Sequence, residues 1–239
     1  MSLQQVRDRV RAARHIAVLT GAGMSAESGV PTFRDVQTGL WAKFDPQQLA
    51  TEEAFRANPR MVWDWYAHRR EMVAKVEPNA GHRAVAEFQR RHPGRLTVIT
   101  QNVDGLHQRA GSEGVLALHG NIAEDKWLDL PRDCCNADAP NRGSPPFCDR
   151  CGNMLRPAVV WFGEMLPFDV LEAAGQAARR CDLMLVVGTS GVVHPAAGLA
   201  RLAGGPVVVL NPEETALDDA AHAVLRGTAA YLLPQLLED

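Results

Sequence analysis

The chain has no excess of positive charge. Its 239 residues carry 25 Lys and Arg against 28 Asp and Glu, a formal net charge of -3. It therefore lacks the basic stripe through which a protein meets nucleic acid, and no nucleic-acid partner is expected. No apolar run reaches membrane-spanning length, so no membrane association is expected. The first residues, MSLQQVRDRVRAARH, are polar and charged and do not resemble a secretory leader, which points to the cytoplasm. Cysteine is scarce and odd in number, 5 in all, which speaks against a disulfide framework. Two clustered cysteine pairs suggest metal or free thiols instead. Internal repeats and low-complexity tracts are missing as well. What is present, 46% hydrophobic residues in a chain of this length, suits one globular unit with a sizeable core and a smaller appended module.

Strand and helix signals alternate along that unit. Ser2 and Gln5 form an S-x-x-Q capping box for a helix over 3–13, with Leu3, Val6 and Val10 on its apolar face. Apolar strands are expected at His15–Leu19, Leu96–Thr100, Val115–Leu118, Leu183–Val187 and Pro206–Leu210. Helical patterns run from Pro46 to Val76, from Asn79 to Pro93-Gly94, and over 168–180. A final helix and a short Tyr231-Leu232-Leu233 segment close the chain. Leu183–Val187 is unbroken in its apolarity, as in a parallel sheet covered on both faces. Repeated strand-then-helix units argue for an α/β fold with a doubly wound, parallel, Rossmann-like sheet. The core is expected at about 1–36, 78–122 and 158–239. The smaller module comprises a helical insertion at about 37–77 and a Cys-containing, zinc-ribbon-like insertion at about 123–157.

The stretch Thr20 to Arg34, TGAGMSAESGVPTFR, organises the rest. Gly21, Gly23 and Ala26 fit the dinucleotide fingerprint G-x-G-x-x-G/A. Glycine is expected here where backbone takes φ > 0 or lies against a ligand. Bare N–H groups around Ala22, with Ser25 close by, would cradle phosphate. Gly29 and Pro31 then prevent a long helix, leaving an irregular loop with Phe33 as a lid and Arg34 as a cation. The acidic ribose-binding residue that a dehydrogenase carries after its second strand is missing. Polar residues follow the other strands: Gln101, Asn102 and Asp104; His119; Gly188, Thr189 and Ser190; and Asn211. Strand ends are where open α/β sheets bind ligands.

These residues, with Leu118-His119-Gly120 and Val159-Val160-Trp161-Phe162-Gly163-Glu164, make the chain resemble the sirtuins, NAD-dependent protein lysine deacylases. The resemblance runs in family order over nearly the whole chain and departs only from about Lys126 to Arg150. It implies NAD as cofactor and acyl-lysine proteins or peptides as partners, with a monomer expected. The implied reaction expels nicotinamide, lets the acyl oxygen attack the ribose, and passes the acyl group to ADP-ribose. His119 would be the general base, with an ordinary pKa near ~6.5 suited to neutral pH. Asn102 would hold the ribose side, Asp104 the nicotinamide carboxamide and Gln101 the ribose hydroxyls. Ser25, Thr189 and Ser190 would bond phosphates or the adenosine ribose, Asn211 that ribose, and Ala229 would lie by the adenine. Val160, Trp161, Phe162 and Gly163 would form the substrate strand, with the two aromatics lining the lysine tunnel.

Tyr66 and Arg69, at i and i+3, share one helix face and together offer a hydroxyl and a planar fork to a carboxylate. The spacing alone fits equally a core Tyr and a surface ion pair. The resemblance supplies the further step, because sirtuins that remove succinyl or malonyl groups carry Tyr-x-x-Arg here. The alternatives are a general deacetylase, an ADP-ribosyltransferase and an NAD-sensing binding module.

Cys148 and Cys151 form one C-x₂-C zinc-knuckle half. The second half, implied by the resemblance, falls on Trp127 and Leu130, which cannot ligate. An adjacent pair, Cys134-Cys135, stands nearby. Three outcomes stay open: a rearranged four-Cys site, a three-Cys site, or no zinc with Trp127, Leu128 and Pro131 holding the lobe by apolar packing. Cys181, between a helix and a buried strand, is read as a structural thiol.

Overall fold

A computed structural model describes residues 1–31, 45, 49–135 and 143–238. Phe33 and Arg34, the expected lid and cation, lie outside the described residues. The chain opens with helix α1 (Leu3–Ala12), where Ser2 and Gln5 close the expected capping box. Strand β1 (Ile16–Thr20) follows, then two short 3₁₀ turns at Ala22–Met24 and Ala26–Ser28. The helical pattern up to Val76 resolves into α2 (Glu52–Ala57) and α3 (Pro59–Lys75). The break falls at Asn58-Pro59, because Pro59 has no N–H to continue a helix and fits a first-turn position, while Asn58 caps Met61. Helix α4 (Ala80–Arg91) leads into β2 (Leu96–Thr100), α5 (Leu106–Arg109) and β3 (Leu116–Ala117). After β4 (Gly120–Trp127) and β5 (Leu155–Val159) come α6 (Phe168–Arg180), β6 (Leu183–Val187), β7 (Val207–Leu210), β8 (Ala223–Leu225) and α7 (Ala229–Leu237). The Tyr231-Leu233 segment lies inside α7, and β8 is a strand the sequence reading did not include.

Six strands form one sheet in the order β3-β2-β1-β6-β7-β8, every pair parallel. This is the expected doubly wound architecture. Alternate side chains divide between two cores. Ile16, Val18, Leu183, Leu185 and Val187 pack with α1, α4 and α7; Ala17, Leu19, Met184 and Val186 pack with α6 and the 3₁₀ helix Ala196–Leu202. A third cluster joins Phe55, Val62, Trp65 and Tyr66 to Ile122, Val159 and Trp161, so the helical insertion packs against the antiparallel β4-β5 pair.

The strand order reverses between β1 and β6, which makes their carboxyl ends the switch-point crevice. Two glycine-bearing turns nest there. The Gly21 N–H donates to the Val187 carbonyl at 3.0 Å, and the Gly23 N–H to the Gly188 carbonyl at 2.8 Å. A Cβ on Gly23 would stand 2.7 Å from Gly188 Cα, and one on Gly188 would stand 2.4 Å from the Met24 nitrogen. This corrects one expectation. Gly21 and Gly23 do not adopt positive φ, and their N–H groups are already bonded; they are glycines because two backbones touch. Gly188 has φ +60 as well, so it meets both requirements.

Candidate active site

Asp104 is the centre of a polar network at the end of β2. Its Oδ1 accepts from the Leu106 N–H at 2.9 Å, an Asx turn that starts α5 after Gly105. Its Oδ2 accepts from the Ser25 hydroxyl at 2.7 Å. Ser25 Oγ in turn accepts from Asn102 Nδ2 at 3.1 Å, and the same amide donates to the Gly21 carbonyl at 3.0 Å. His82 Nε2 lies 3.4 Å from Ser25 Oγ, while His82 Nδ1 accepts the Asn79 N–H at 3.3 Å. An Nδ1 that accepts leaves the neutral ring's proton on Nε2, so His82 donates to Ser25. The serine hydroxyl thus has one outgoing and two incoming bonds and is only 1% exposed. In this arrangement the hydroxyl is engaged with Asp104, Asn102 and His82, which ties the loop after β1 to the end of β2 and to α4.

Sequence reasoning missed His82 and His107, and read Asn79 only as the start of a helix. The Asn79-x-x-His82 capping box was a visible signal, since a His at that place turns its ring back towards the helix start. His107 is packed edge-on to His82 with ring centroids 4.8 Å apart, and its Nε2 lies 3.2 Å from the Thr20 hydroxyl. Burial, with the Arg83 charge, pushes His82 down to about 4; burial, with His82, pushes His107 down to about 3. Burial also raises the Asp104 carboxyl, opposed by the Leu106 N–H, the Ser25 hydroxyl and the Arg109 charge.

The two histidines make stability acid-sensitive. In the unfolded chain each binds a proton near pH ~6.5, but the folded protein resists until about 4 and about 3. Between those values the unfolded state holds more protons, so the stabilisation is present above pH ~6.5 and is lost as pH falls. Each ring contributes a slope of up to about 1.4 kcal/mol per pH unit. The urea midpoint is expected to fall steeply from pH 6.5 to 5, above the range where ordinary carboxylates titrate. A flat midpoint there would contradict neutral burial of both rings.

His119 stands between β3 and β4. Its Nδ1 lies 2.9 Å from the Gln101 carbonyl, an acceptor only, so Nδ1 carries the proton and Nε2 the lone pair. Burial lowers its pKa, partly opposed by that hydrogen bond. Gly120 must follow it, because φ is +79 and a Cβ would fall 2.0 Å from the Ala158 carbonyl oxygen. Gln101 Nε2 donates to Thr189 Oγ1 at 3.1 Å, and Asn211 Nδ2 to the Thr189 carbonyl at 3.1 Å. Residues from β1, β2, β6 and β7 therefore converge on one crevice. Ser190 follows in the Gly188 turn and accepts the Ala216 N–H through its carbonyl. Ala229 is buried at the start of α7, beyond the carboxyl end of β8, and the next N–H bonds Glu27 Oε2 at 3.0 Å.

The segment expected as a substrate strand is not one along its length: β5 ends at Val159, and 160–164 forms a turn with Gly163 at φ +86. The Val160 N–H is bonded to the His119 carbonyl and the Phe162 N–H to the Ala50 carbonyl. Phe162 is half exposed. Trp161 is 2% exposed, and its Nε1 donates to the Tyr66 hydroxyl at 2.9 Å. Tyr66 and Arg69 are buried side by side on α3, with the Arg69 guanidinium 5.2 Å from the Trp65 ring. Burial raises the Tyr66 pKa and lowers that of Arg69, and each group's charge opposes the other's shift.

The sulfurs of Cys134, Cys135, Cys148 and Cys151 lie within 4.8 Å of one another. Tetrahedral Zn–S bonds of about 2.3 Å place sulfurs about 3.8 Å apart, so this donor set fits a zinc ion. Of the three outcomes, the rearranged four-Cys arrangement is the one assembled. The adjacent pair needs no left-handed backbone: the Cys135 N–H closes a turn on the Arg132 carbonyl. Backbone N–H groups of Cys151 and Arg150 hold the Cys148 thiol down at about 7. Of the residues expected to pack this lobe, Leu128 lies on the third core, Trp127 is half-buried and Pro131 is exposed. Protein purified without added metal is expected to carry about one equivalent of zinc. Less than a tenth of an equivalent would contradict the four-thiol reading. Cys181 is buried, its thiol donating to the Ala178 carbonyl at 3.1 Å.

Known proteins share this architecture. The chain is 55% identical over 236 residues to the NAD-dependent protein deacylase of Ralstonia nicotianae, covering 98% of this chain and 95% of that protein. It is 49% identical over 227 residues to the NAD-dependent protein deacylase of Aquifex aeolicus, covering 94% of each. The solved structure of a Sir2 homologue–NAD complex superposes with a TM-score of 0.88 at 44% identity, over 98% of this chain and 92% of the other. A Sir2–p53 peptide–NAD+ complex superposes at 0.85 with 32% identity, over 100% and 98%. The Sir2 family profile matches residues 21–195, and the chain belongs to the Sir2 family.

Proposed function

We propose that this chain removes acyl groups from protein lysine in an NAD-dependent reaction, and that it takes acidic acyl groups, succinyl and malonyl, as well as acetyl. The observation that carries the reading is the tautomer of His119: Nδ1 is committed to the Gln101 carbonyl, so Nε2 is the ring's lone pair beside the switch-point crevice. The crevice fits NAD in its chemistry, with amide, hydroxyl and carboxyl groups converging where a parallel sheet reverses. When bound, NAD supplies a sugar carbon made electrophilic by loss of nicotinamide.

This chain's residues do the rest. His119 Nε2 takes the proton from a ribose hydroxyl, and the Gln101 carbonyl steadies the imidazolium that forms. Asp104 and Asn102 are held by Ser25 and the Gly21 carbonyl, so they meet the nicotinamide and ribose in a fixed orientation. Gln101 and Thr189, already bonded to each other, take ribose and phosphate oxygens. Tyr66 and Arg69 take the distal carboxylate of the acyl group. For Arg69, whose pKa burial depresses, an incoming carboxylate offsets part of the desolvation cost. The peptide runs past Val160 to Gly163. The proposal includes a cytoplasmic monomer; no helix among the described residues is long and apolar enough to cross a membrane.

Peptides bearing succinyl-, malonyl- and acetyl-lysine, incubated with NAD, test this by released nicotinamide. Release is expected with all three, fastest with the acidic groups. No release with any would end the proposal, and a faster acetyl rate would confine it to general deacetylation.

A further inference from the structure

Trp161 sits at the join between two buried systems. On one side its ring covers the guanidinium of Arg156, 3.2 Å from the ring centroid. Arg156 is 2% exposed, is paired through both terminal nitrogens with the Glu164 carboxylate, and donates to the Val159 carbonyl at 2.7 Å. Glu164 also accepts the Trp161 N–H at 2.8 Å. Burial works to raise the Glu164 pKa and is outweighed by Arg156 and that N–H, so the carboxylate is charged and the clamp closed at neutral pH. Phe55 packs on the indole, with ring centroids 5.2 Å apart. The indole has little freedom, and its Nε1–H points at the Tyr66 hydroxyl, 2.9 Å away.

An indole N–H can only donate, so the Tyr66 oxygen must accept it. The phenol then keeps one proton to donate, and that proton turns away from Trp161. A hydroxyl that already accepts a hydrogen bond is also a better donor. We infer that Trp161 is a positioning residue for acyl selectivity: through Nε1 it orients the Tyr66 O–H so that this proton meets the carboxylate of an acidic acyl group. Glu164 and Arg156 hold the indole in place for this task. The inference rests on the reading of Tyr66 and Arg69 as the acyl-carboxylate site.

The test uses Trp161→Phe and, as a variant that keeps the shape, replacement of Trp161 by 3-benzothienylalanine, which lacks the N–H. Each is made with and without Tyr66→Phe, and kcat/KM is measured on succinyl- and acetyl-lysine peptides. The succinyl-to-acetyl ratio is expected to fall about three- to tenfold in the shape-keeping variant, mainly through KM for the succinyl peptide. In the Tyr66→Phe background the same change should leave the ratio where it was. A packing role would lower both substrates together and leave the ratio intact, which would overturn the inference while Tyr66→Phe alone still shifted the ratio. If Tyr66→Phe alone fails to shift it, the acyl-carboxylate reading falls and this inference with it.

Discussion

Replacing His119 by Ala is expected to lower turnover of acyl-lysine peptide by ~10² to 10⁴-fold, the usual cost of losing a general base. NAD binding should survive, because the ring's one bond to the scaffold goes to the Gln101 backbone carbonyl and leaves the Gln101 side chain on Thr189. The two readouts separate a chemical role from a structural one. Calorimetric titration with NAD should give a dissociation constant close to that of the unaltered protein, while nicotinamide-coupled deacylation nearly vanishes. His119→Gln keeps a polar side chain but no ring base, and should be as slow. Turnover within a few-fold of the parent would remove His119 from the chemistry. The lowered pKa adds a sign: the working form is the neutral ring, so the acid-side fall of kcat/KM should come at a lower pH than an unperturbed histidine would give.

Changing Tyr66 to Phe and Arg69 to Met should depress desuccinylation about 10- to 100-fold more than deacetylation. That range corresponds to losing hydrogen bonds to a charged group in a buried pocket. Acetyl-lysine has no distal carboxylate, so its losses report only changed packing. Packing change should be small for Tyr66→Phe, which keeps the ring against Trp65. Equal losses on both acyl groups would mean that the pair holds the module together and does not read the substrate.

Much of this molecule is legible in its sequence for identifiable reasons. The parallel sheet announces itself because strands covered on both faces are apolar at every position, as in Leu183–Val187. Gln101, Asn102, Asp104 and His119 are conspicuous because polar residues directly after such strands have little other reason to be there. What is not legible depends on contacts between distant segments. Ser25 looks like a phosphate ligand in its own loop, and its bonds to Asp104 and His82, 79 and 57 residues away, cannot be read from that loop. Gly21 and Gly23 look like residues freed for a ligand, yet their neighbour is the Gly188 turn. The four thiols follow no regular C-x₂-C pair of pairs, and their convergence comes from how the turn after Arg132 folds back on the Cys148 knuckle. Trp161 reads as a tunnel wall by its place in the motif, while its hydrogen bond to Tyr66 joins positions 95 residues apart.

The acyl group is expected to leave lysine for the sugar of NAD. Mass analysis of a single turnover, with NAD labelled in its ADP-ribose portion and a succinyl-lysine peptide, tests this most directly. One equivalent each of nicotinamide, unmodified lysine peptide and acyl-bearing labelled ADP-ribose is the predicted result. Label fixed to protein, or lysine freed with NAD intact, would contradict it.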